Sequence, residues 1–342
     1  MSMLRTIGVV TFAVVLSATA GPTWTPLTSG VNATFRGVSA ASDQVAWASG
    51  SAGTVLRTED GGATWQKITI TADRVDFRDI DAINLKTAYA LSIGNGPASR
   101  IYKTTDAGAT WTAQFLNEDP NVFLDAMTFS DEQHGIVMGD SIEGKFTLLK
   151  TDDGGKTWAR VPADALPPAL LNEGAFAASG TNVAMFGNNV WIGTGAAAKA
   201  RVLRSTDRGR TWKVFDTPLI AGGSAGIFSI AFRDATHGVI VGGDYRKEAE
   251  ALDNLALTED GGATWTLIKD RGLSGFRSVV AYVPGTAASL IAVGPQGTDY
   301  STDGGRSWTP VQGPGFHTLS FSPSGKAAFG AGGRGSLGKL TW

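Results

Sequence analysis

The chain has 342 residues, a net charge of −2, 45 glycines, 10 tryptophans and no cysteine. A charge balance this close to neutral argues against nucleic acid as a partner. The lack of cysteine excludes disulfides, thiol catalysis, thiolate metal sites and lipid anchors on cysteine. The many glycines predict many tight turns, as an all-β chain of short strands requires.

The first 20 residues predict a secretory signal peptide. Arg5 precedes an apolar run over residues 7–16, and the small residues Ala18 and Ala20 then suit a cleavage site. The apolar run is too short to cross a bilayer comfortably, and no other segment approaches the necessary length. We therefore expect an exported protein, in a bacterial periplasm or outside the cell, with no membrane span after cleavage.

One short phrase recurs six times along the chain, with the pattern Ser/Thr-x-Asp-x-Gly-x-Ser/Thr-Trp. Successive aspartates of the phrase are 43 to 54 residues apart, and a period of this length indicates a repeat architecture. The aspartates of the six copies are Asp60, Asp106, Asp153, Asp207, Asp260 and Asp303.

Each repeat unit has the pattern of four short antiparallel strands, which together make a propeller blade. In the unit that contains Asp106, aromatic-rich and apolar segments at 77–80, 87–91 and 100–103 predict the first three strands. A fourth short strand follows the tryptophan of each phrase, as at 66–68. First strands are predicted at seven places, near Phe35, Phe77, Phe123, Ala175, Phe228, Phe276 and Phe316.

The seventh unit, from about Phe316 to Trp342, has three predicted strands and no copy of the phrase. Residues 23–27 resemble the segments that follow the phrase elsewhere, so they are predicted to supply the missing fourth strand. Such closure removes the exposed edges that an open sheet would leave. We therefore predict an all-β fold in which residues 21–342 form a single seven-bladed propeller, its last blade closed by the N-terminal strand.

The six repeated aspartates are predicted to fasten turns rather than to bind metal or act as catalytic acids. A carboxylate at a tight turn accepts backbone N–H groups just beyond it, and the tryptophan buries its ring between blades. Identical residues spaced evenly around a ring do not converge on one site. The sequence also lacks a strand–GxGxxG–helix unit for a dinucleotide, so we expect neither a metal nor a cofactor.

At these residues the chain resembles the Asp-box (BNR) repeat families. These families include sialidases, xyloglucan-active glycosidases, sortilin-type receptors and photosystem II stability/assembly-factor-like propellers. The resemblance is greatest to the last of these and covers the whole chain after residue 20, because a turn, a Gly-rich loop and the phrase recur together, as from His134 to Trp158. It implies a propeller used as a binding or assembly platform, with its ligand on the face opposite the Asp boxes.

Charged and polar residues at the starts of the first strands, and in nearby loops, are candidates for ligand binding on that face. Loops at 161–174, 215–226 and 242–254 are long enough to shape a pocket there. The arginines would hold an anionic or sugar-like ligand through carboxylate or phosphate groups. Alternatively the charges pair across blades, Asp79 with Arg36 or Asp125 with Arg78. The candidates are Arg36, Arg78, Asp79, Asp125, Glu173, Asp244, Tyr245, Arg277 and His317.

Two functions remain open at this point. The first is a non-catalytic, monomeric propeller that binds a protein partner or a small ligand. The second is a carbohydrate-active hydrolase or lyase that uses two of the carboxylates of Asp79, Asp125 and Glu173. Accessible carboxylates facing each other across a pocket would favour the enzyme, and carboxylates bonded to arginines would favour the binding protein.

A sialidase is one form of the second function. Arg36 falls loosely where the first substrate-binding arginine of sialidases lies; Tyr245 and Tyr300 lie in loops that suit a tyrosine nucleophile, but the sequence assigns neither. The Ile-Pro that normally follows that arginine is absent, and sialidases have six blades instead of the seven expected here. The resemblance to sialidases therefore implies the fold more than the activity.

Overall fold

The computed structural model describes residues 21–342, and the predicted signal peptide at 1–20 lies outside them. The described residues form seven antiparallel sheets of four strands each. The innermost strands of successive sheets contact one another, and the last contacts the first, so the sheets close into a ring of blades. The predicted all-β, seven-bladed propeller is confirmed. Within residues 21–342, no helix is sufficiently long and apolar to cross a membrane.

The strands are short, and each blade runs from an inner strand at the axis to an outer strand at the rim. Three 3₁₀ turns, Gly96–Ala98, Ala163–Ala165 and Gly333–Gly335, are the only helical elements of the described residues. The strands, in chain order, are β1 (Thr23–Thr28); blade 1, β2 (Phe35–Ala40), β3 (Ala46–Gly50), β4 (Val55–Thr58) and β5 (Gln66–Ile68); blade 2, β6 (Asp76–Ala82), β7 (Ala88–Ile93), β8 (Arg100–Thr104) and β9 (Thr112–Leu116); blade 3, β10 (Leu124–Phe129), β11 (Gly135–Ile142), β12 (Lys145–Thr151) and β13 (Ala159–Arg160); blade 4, β14 (Val183–Phe186), β15 (Asn189–Gly193), β16 (Arg201–Ser205) and β17 (Lys213–Asp216); blade 5, β18 (Ala225–Phe232), β19 (Gly238–Asp244), β20 (Leu255–Thr258) and β21 (Thr266–Leu267); blade 6, β22 (Val279–Tyr282), β23 (Leu290–Gly294), β24 (Gly297–Ser301) and β25 (Thr309–Val311); and blade 7, β26 (Thr318–Phe321), β27 (Ala328–Ala331) and β28 (Ser336–Thr341).

Strand β1 completes blade 7, as predicted. It pairs antiparallel with β28, from Thr23 opposite Thr341 to Thr28 opposite Ser336. The Trp24 ring lies 4.4 Å from the ring of Phe316, measured between centroids. This pairing completes the four-stranded sheet of blade 7 and joins the first described strand to the last through backbone hydrogen bonds, which closes the ring.

Each Asp box is a hydrogen-bonded turn, shown here for blade 2. The Asp106 carboxylate accepts the backbone N–H of Thr110 at 2.9 Å and its hydroxyl at 2.6 Å, while Thr104 Oγ1 donates to it at 2.8 Å. These bonds, led by the Thr110 hydroxyl, lower the pKa of Asp106 to about 2. The same three bonds recur in the other five boxes.

The boxes all lie on one face of the propeller. The backbone N–H of Gly61 in the first box donates to Gln44 O, in the turn between β2 and β3, at 2.9 Å. An equivalent bond ties each of the other five boxes to the turn between the two inner strands of its own blade. Because the inner strands begin at the opposite end of the axis, that end is the face without boxes.

Blade 4 differs from the prediction that its first strand lies near Ala175. The inner strand, β14, begins at Val183 instead. The preceding residues 176–181, which we call the plug, leave the blade and enter the central channel. The Ser179 hydroxyl donates to Ser278 O of blade 6 at 2.8 Å, and Ser179 O accepts from Thr318 Oγ1 of blade 7 at 3.2 Å.

The plug also contacts blades on its other sides. Arg78 Nη1 of blade 2 donates to Ala177 O at 3.1 Å, and Thr181 Oγ1 donates to Ser229 Oγ of blade 5 at 2.8 Å. A segment that bonds to blades 2, 5, 6 and 7 crosses the axis. It divides the channel into two spaces, one above it at the face without boxes and one below it.

Candidate functional site

The space above the plug, which we call the upper cavity, has a volume of about 340 Å³. It lies on the face opposite the Asp boxes, since its arginines are at the starts of the inner strands. The plug residues Phe176, Ala177 and Ala178 form part of its lining. The other lining residues are Arg36, Arg78, Phe228, Tyr245, Glu248, Phe276, Pro295 and His317.

Arg36 is the most unusual charged group of the upper cavity. Its Nε atom is buried and has no hydrogen-bond partner, and the guanidinium forms no ion pair with any residue of 21–342. Burial, and then the positive charge of Arg78, lower the pKa of Arg36 to about 10, against a smaller opposing effect of Glu248. Arg36 remains cationic at neutral pH, so the cavity contains a charge that the protein itself leaves unpaired.

His317 lies beside these arginines. Its Nδ1 is 3.1 Å from the backbone oxygen of Phe35. Because a carbonyl oxygen only accepts, Nδ1 carries the proton and Nε2 is left as an acceptor in the neutral ring. Burial, followed by the charge of Arg36, lowers the pKa of His317 to about 4. The imidazole is therefore neutral at physiological pH.

Aromatic rings form the opposite wall of the upper cavity. Phe176 stacks on Phe228 with centroids 4.0 Å apart and planes 6° apart. Phe276 meets Phe228 edge to face at 4.7 Å, and Tyr245 lies edge-on to Phe176 at 6.1 Å. Phe228 and Phe276 are almost fully buried, whereas Tyr245 is 41% exposed and Phe176 is partly exposed. The accessible part of this wall is therefore Phe176 and Tyr245, supported from behind by the other two rings.

Glu248 is the one carboxylate among the residues that line the upper cavity. Its Oε2 accepts a hydrogen bond from Gln296 Nε2 at 2.8 Å. Its backbone oxygen accepts from Phe276 N at 2.9 Å, which ties the 242–254 loop to blade 6. The charged lining is thus two arginines and one glutamate, which sum to +1 while His317 is neutral.

Two predicted ligand-binding residues are buried in ion pairs away from the cavity. Glu173 accepts Arg201 Nε at 2.8 Å and the Thr194 hydroxyl at 2.7 Å. Arg277 donates through Nε to Asp299 at 2.8 Å, with both side chains 1% exposed. These pairs hold loops and strands in place, so neither residue reaches the cavity lining.

Asp125 and Asp244 also lie outside the lining. Asp125 is buried with its Oδ2 unpartnered, and burial followed by the charge of Asp140 raises its pKa well above the usual range. Asp125 forms no salt bridge with Arg78, contrary to the suggested pairing. The positive charge of Arg78 only partly opposes the rise in the pKa of Asp125. Asp244 accepts the backbone N–H of Arg246 at 2.9 Å and shapes the loop that contains Tyr245.

Asp79 lies below the plug, and its suggested ion pair with Arg36 is wrong. The Asp79 carboxylate instead accepts the backbone N–H of Met127, in blade 3, at 2.7 Å. Asp81 accepts Phe129 N of the same blade at 3.0 Å. Burial raises the pKa of Asp79 to about 8 and that of Asp81 to about 6. Both line a lower chamber of about 370 Å³, whose described lining contains no cationic side chain.

These two aspartates join neighbouring blades in the way that serines do elsewhere. Ser39 Oγ accepts Ala82 N of the next blade at 2.9 Å, and Ser320 Oγ accepts Ala40 N at 3.1 Å. A polar oxygen on an inner strand thus fastens a blade to the backbone of its neighbour. This bond gives Asp79 and Asp81 a structural role that the sequence does not reveal.

The structure therefore brings together four of the predicted ligand-binding residues, Arg36, Arg78, Tyr245 and His317. Sequence reasoning did not select Phe176, Phe228, Phe276 or Glu248 as ligand contacts. The signal for Phe176 was present, because it is an aromatic residue in a segment of small residues that lacks the pattern of a strand. Within residues 21–342, no group of three or more His, Asp or Glu side chains is arranged to hold a metal ion.

Comparisons with known proteins agree with this architecture. A family model described as Sortilin-Vps10 (Sortilin, neurotensin receptor 3) matches residues 53–167, which are 115 of the 342 residues. No curated protein sequence matches the chain.

Solved structures with the same fold include binding proteins and enzymes. "YCF48 bound to D1 peptide" is 19% identical, with a TM-score of 0.65, and the match covers 93% of this chain and 97% of that one. YCF48 from Cyanidioschyzon merolae is 18% identical, with a TM-score of 0.66 and coverages of 93% and 99%. The GH74 xyloglucanase from Xanthomonas campestris is 17% identical, with a TM-score of 0.62, and the match covers 93% of this chain but 53% of the enzyme. The six boxes and the ring of seven four-stranded sheets make the chain a seven-bladed β-propeller with Asp-box turns, and these matches agree with that fold.

Proposed function

We propose that the chain is an exported, non-catalytic propeller that binds an anionic segment of a partner protein in the upper cavity. The observation that carries this proposal is the unpaired guanidinium of Arg36. The Nε atom of Arg36 is buried without a hydrogen-bond partner although the residue is partly exposed, and a carboxylate that entered the cavity would supply that partner and a counter-charge. Arg78 lies beside it and adds a second donor.

The positions of the carboxylates support a binding role over hydrolysis in this cavity. Glycoside hydrolysis generally uses a pair of carboxyl groups about 5 to 9.5 Å apart. Glu248 is the single carboxylate of the cavity lining, whereas Asp79, Asp125 and Glu173 lie elsewhere. The residues of the upper cavity thus suit the recognition of an anion better than acid–base chemistry.

A polypeptide is the class of partner that we propose. One of the solved structures with this fold is of a YCF48 protein bound to a D1 peptide. Its identity to this chain is 19%, so the likeness itself extends to the fold alone. Export is proposed from Arg5, the apolar run at 7–16 and the small residues that follow, and the propeller is proposed to act as a monomer.

The test is a binding measurement on the protein purified after export. Isothermal titration calorimetry with short peptides that carry a free C-terminal carboxylate should detect binding that Arg36→Ala removes. Arg210→Ala, on the box face, is the matched control because Arg210 is exposed and remote from the cavity. If Arg36→Ala bound the peptides as tightly as the unaltered protein, the proposed role of the cavity would be wrong.

A carbohydrate-active hydrolase or lyase is the second candidate, and one observation favours it. Asp79 and Asp81 line the same lower chamber, and their pKa values of about 8 and about 6 differ as those of an acid and a base would. A reducing-sugar assay over plant and bacterial polysaccharides tests this candidate. Turnover that Asp81→Asn abolished would establish the enzyme, and a lack of turnover on every polysaccharide would count against it.

A further inference from the structure

The two walls of the upper cavity differ in chemistry. Arg36 and Arg78 provide positive charge on one side, and the ring of Phe176 and the exposed ring of Tyr245 provide apolar surface on the other. A ligand that matches only the cationic side would leave the aromatic side in water. We propose that the cavity takes an aromatic carboxylate, with its carboxylate at the two arginines and its ring against Phe176 and Tyr245; this inference rests on the proposed function.

The geometry of the aromatic wall favours a flat ring over an aliphatic group. Phe228 meets Phe276 edge to face with planes 88° apart, and Tyr245 is inclined to Phe176 by 72°. Aromatic rings prefer such edge-to-face and offset contacts, which add to the burial of surface. Phe176 is stacked on Phe228 and is still partly exposed. Another ring can therefore pack against its accessible surface and continue the arrangement.

The size of the cavity restricts how much of a ligand enters. A volume of about 340 Å³ is near the lower end of the range for ligand pockets. The plug lies beneath it and bonds to blades on several sides, through Ala177 O, Ser179 and Thr181. A polypeptide therefore cannot pass through the channel. A chain end fits a closed cavity of this size with less backbone to accommodate than a loop does, so we take the part that enters to be an end of the chain. The end that carries a carboxylate is the C-terminus.

The remaining polar groups are consistent with this orientation. The neutral His317 offers Nε2 as an acceptor and adds no third positive charge beside the arginines. Glu248 opposes the entry of a second negative charge, so a single carboxylate suits the lining better than a dianion such as phosphate. A C-terminal phenylalanine and a small free aromatic acid share the chemistry that the cavity selects.

The experiment compares ligands that differ at one group. Calorimetry on the exported protein would use a Gly-Ser peptide ending in Phe with a free carboxylate, the same peptide ending in Ala, and the Phe peptide with a C-terminal amide. We expect about tenfold weaker binding for Ala and loss of binding for the amide. N-acetylphenylalanine separates the two sources of the ligand. If it binds as tightly as the Phe peptide, the ligand is a small aromatic acid, and if the peptide binds more tightly, the ligand is the end of a polypeptide. Both results support an aromatic carboxylate.

Variants of the wall provide the second arm of the test. Phe176→Leu keeps an apolar group of similar bulk and should reduce the preference for Phe over Ala. Phe186→Leu, at an exposed aromatic on the hairpin of blade 4, should leave the preference unchanged. Equal affinities of the Phe and Ala peptides for the unaltered protein would overturn this inference while the proposed function stood. If none of the ligands with a free carboxylate bound to the protein, the proposed function would be wrong as well.

Discussion

The carboxylate of Asp79 lies directly against the backbone of Gly180, near the end of the plug. A Cβ atom at position 180 would stand 2.2 Å from Asp79 Oδ1, which is far inside a normal contact distance. Gly180 also has a φ of +75°, a conformation that favours glycine. The plug therefore reaches its position only because this residue has no side chain.

Gly180→Ala should displace the plug and destabilise the protein by more than the backbone conformation alone explains. The matched control is Gly187→Ala, since Gly187 also has a positive φ, +60°, but no atom lies within 4 Å of the position that an alanine methyl would occupy there. We expect the control to cost about 1 kcal/mol and Gly180→Ala to cost at least about 2 kcal/mol more. Urea unfolding measures both, and equal costs would show that the contact with Asp79 is not restrictive.

Asp79→Asn should change how stability depends on pH. Between about pH 4 and pH 8 the buried Asp79 stays protonated in the folded protein, because its pKa is raised to about 8, while the unfolded chain ionises. The unfolded state then binds fewer protons, so Asp79 lowers the free energy of unfolding as the pH rises through this window. Asparagine does not ionise. The free energy of unfolding of the variant, relative to that of the unaltered protein, should therefore rise by at least about 1 kcal/mol between pH 4 and pH 8.

Exposed Asp164 is the control for this measurement, because it makes no side-chain hydrogen bond within residues 21–342. Asp164→Asn should follow the unaltered protein across the same window. If Asp79→Asn also followed it, Asp79 would be ionised in the folded protein, contrary to the effect of its burial.

Glu173→Gln should be strongly destabilising, because it leaves the buried guanidinium of Arg201 without a counter-charge. Glu173 is 1% exposed and Arg201 is 7% exposed, so water cannot replace the lost partner. Breaking a buried pair in this way costs about 3 to 5 kcal/mol. Arg201→Met added to Glu173→Gln should recover part of the loss.

The control for this ion pair is on the surface. Lys199 pairs with Asp216 while both side chains are more than half exposed. Asp216→Asn should cost less than about 1 kcal/mol in the same urea titration. A Glu173→Gln variant as mild as this control would mean that the loop before the plug rearranges to let water reach Arg201.

Trp24→Ala should weaken the closure of the ring. Trp24 is 7% exposed, and its Nε1 donates to Thr298 Oγ1 of blade 6 at 3.0 Å. Truncation of a buried tryptophan costs about 3 to 5 kcal/mol. Trp342→Ala is the control, since Trp342 is 51% exposed, and its cost should be below about 1 kcal/mol. Similar costs for the two would indicate that β1 contributes little to the stability of blade 7.

The architecture was predictable because its determinants are local and repeated. Each Asp box specifies its own turn through bonds among neighbouring residues, as between Asp106 and Thr110. Six such turns at nearly equal spacing place the strands, and the likeness of residues 23–27 to the segments after the boxes places β1. A motif that recurs along the chain therefore predicts the fold even when each copy is short.

The plug and the ion pairs were not predictable, because they depend on contacts between distant parts of the chain. The repeat pattern predicts a first strand near Ala175, whereas residues 176–181 form the plug and β14 begins at Val183. Nothing in its neighbours indicates that Ser179 will bond to Ser278 across the axis. Glu173 and Arg201 are likewise 28 residues apart, and a charge alone does not identify its partner.

The pairing of β1 with β28 has a consequence for the order in which the molecule is made. The ribosome synthesises residues 23–28 near the start and residues 336–341 after every other strand, yet these two segments are hydrogen-bonded neighbours. Until synthesis reaches β28, the N-terminal strand has an unpaired edge, and blade 7 cannot exist. Closure of the ring is therefore a late step in folding, which requires that the two ends of the propeller meet after every other blade has formed.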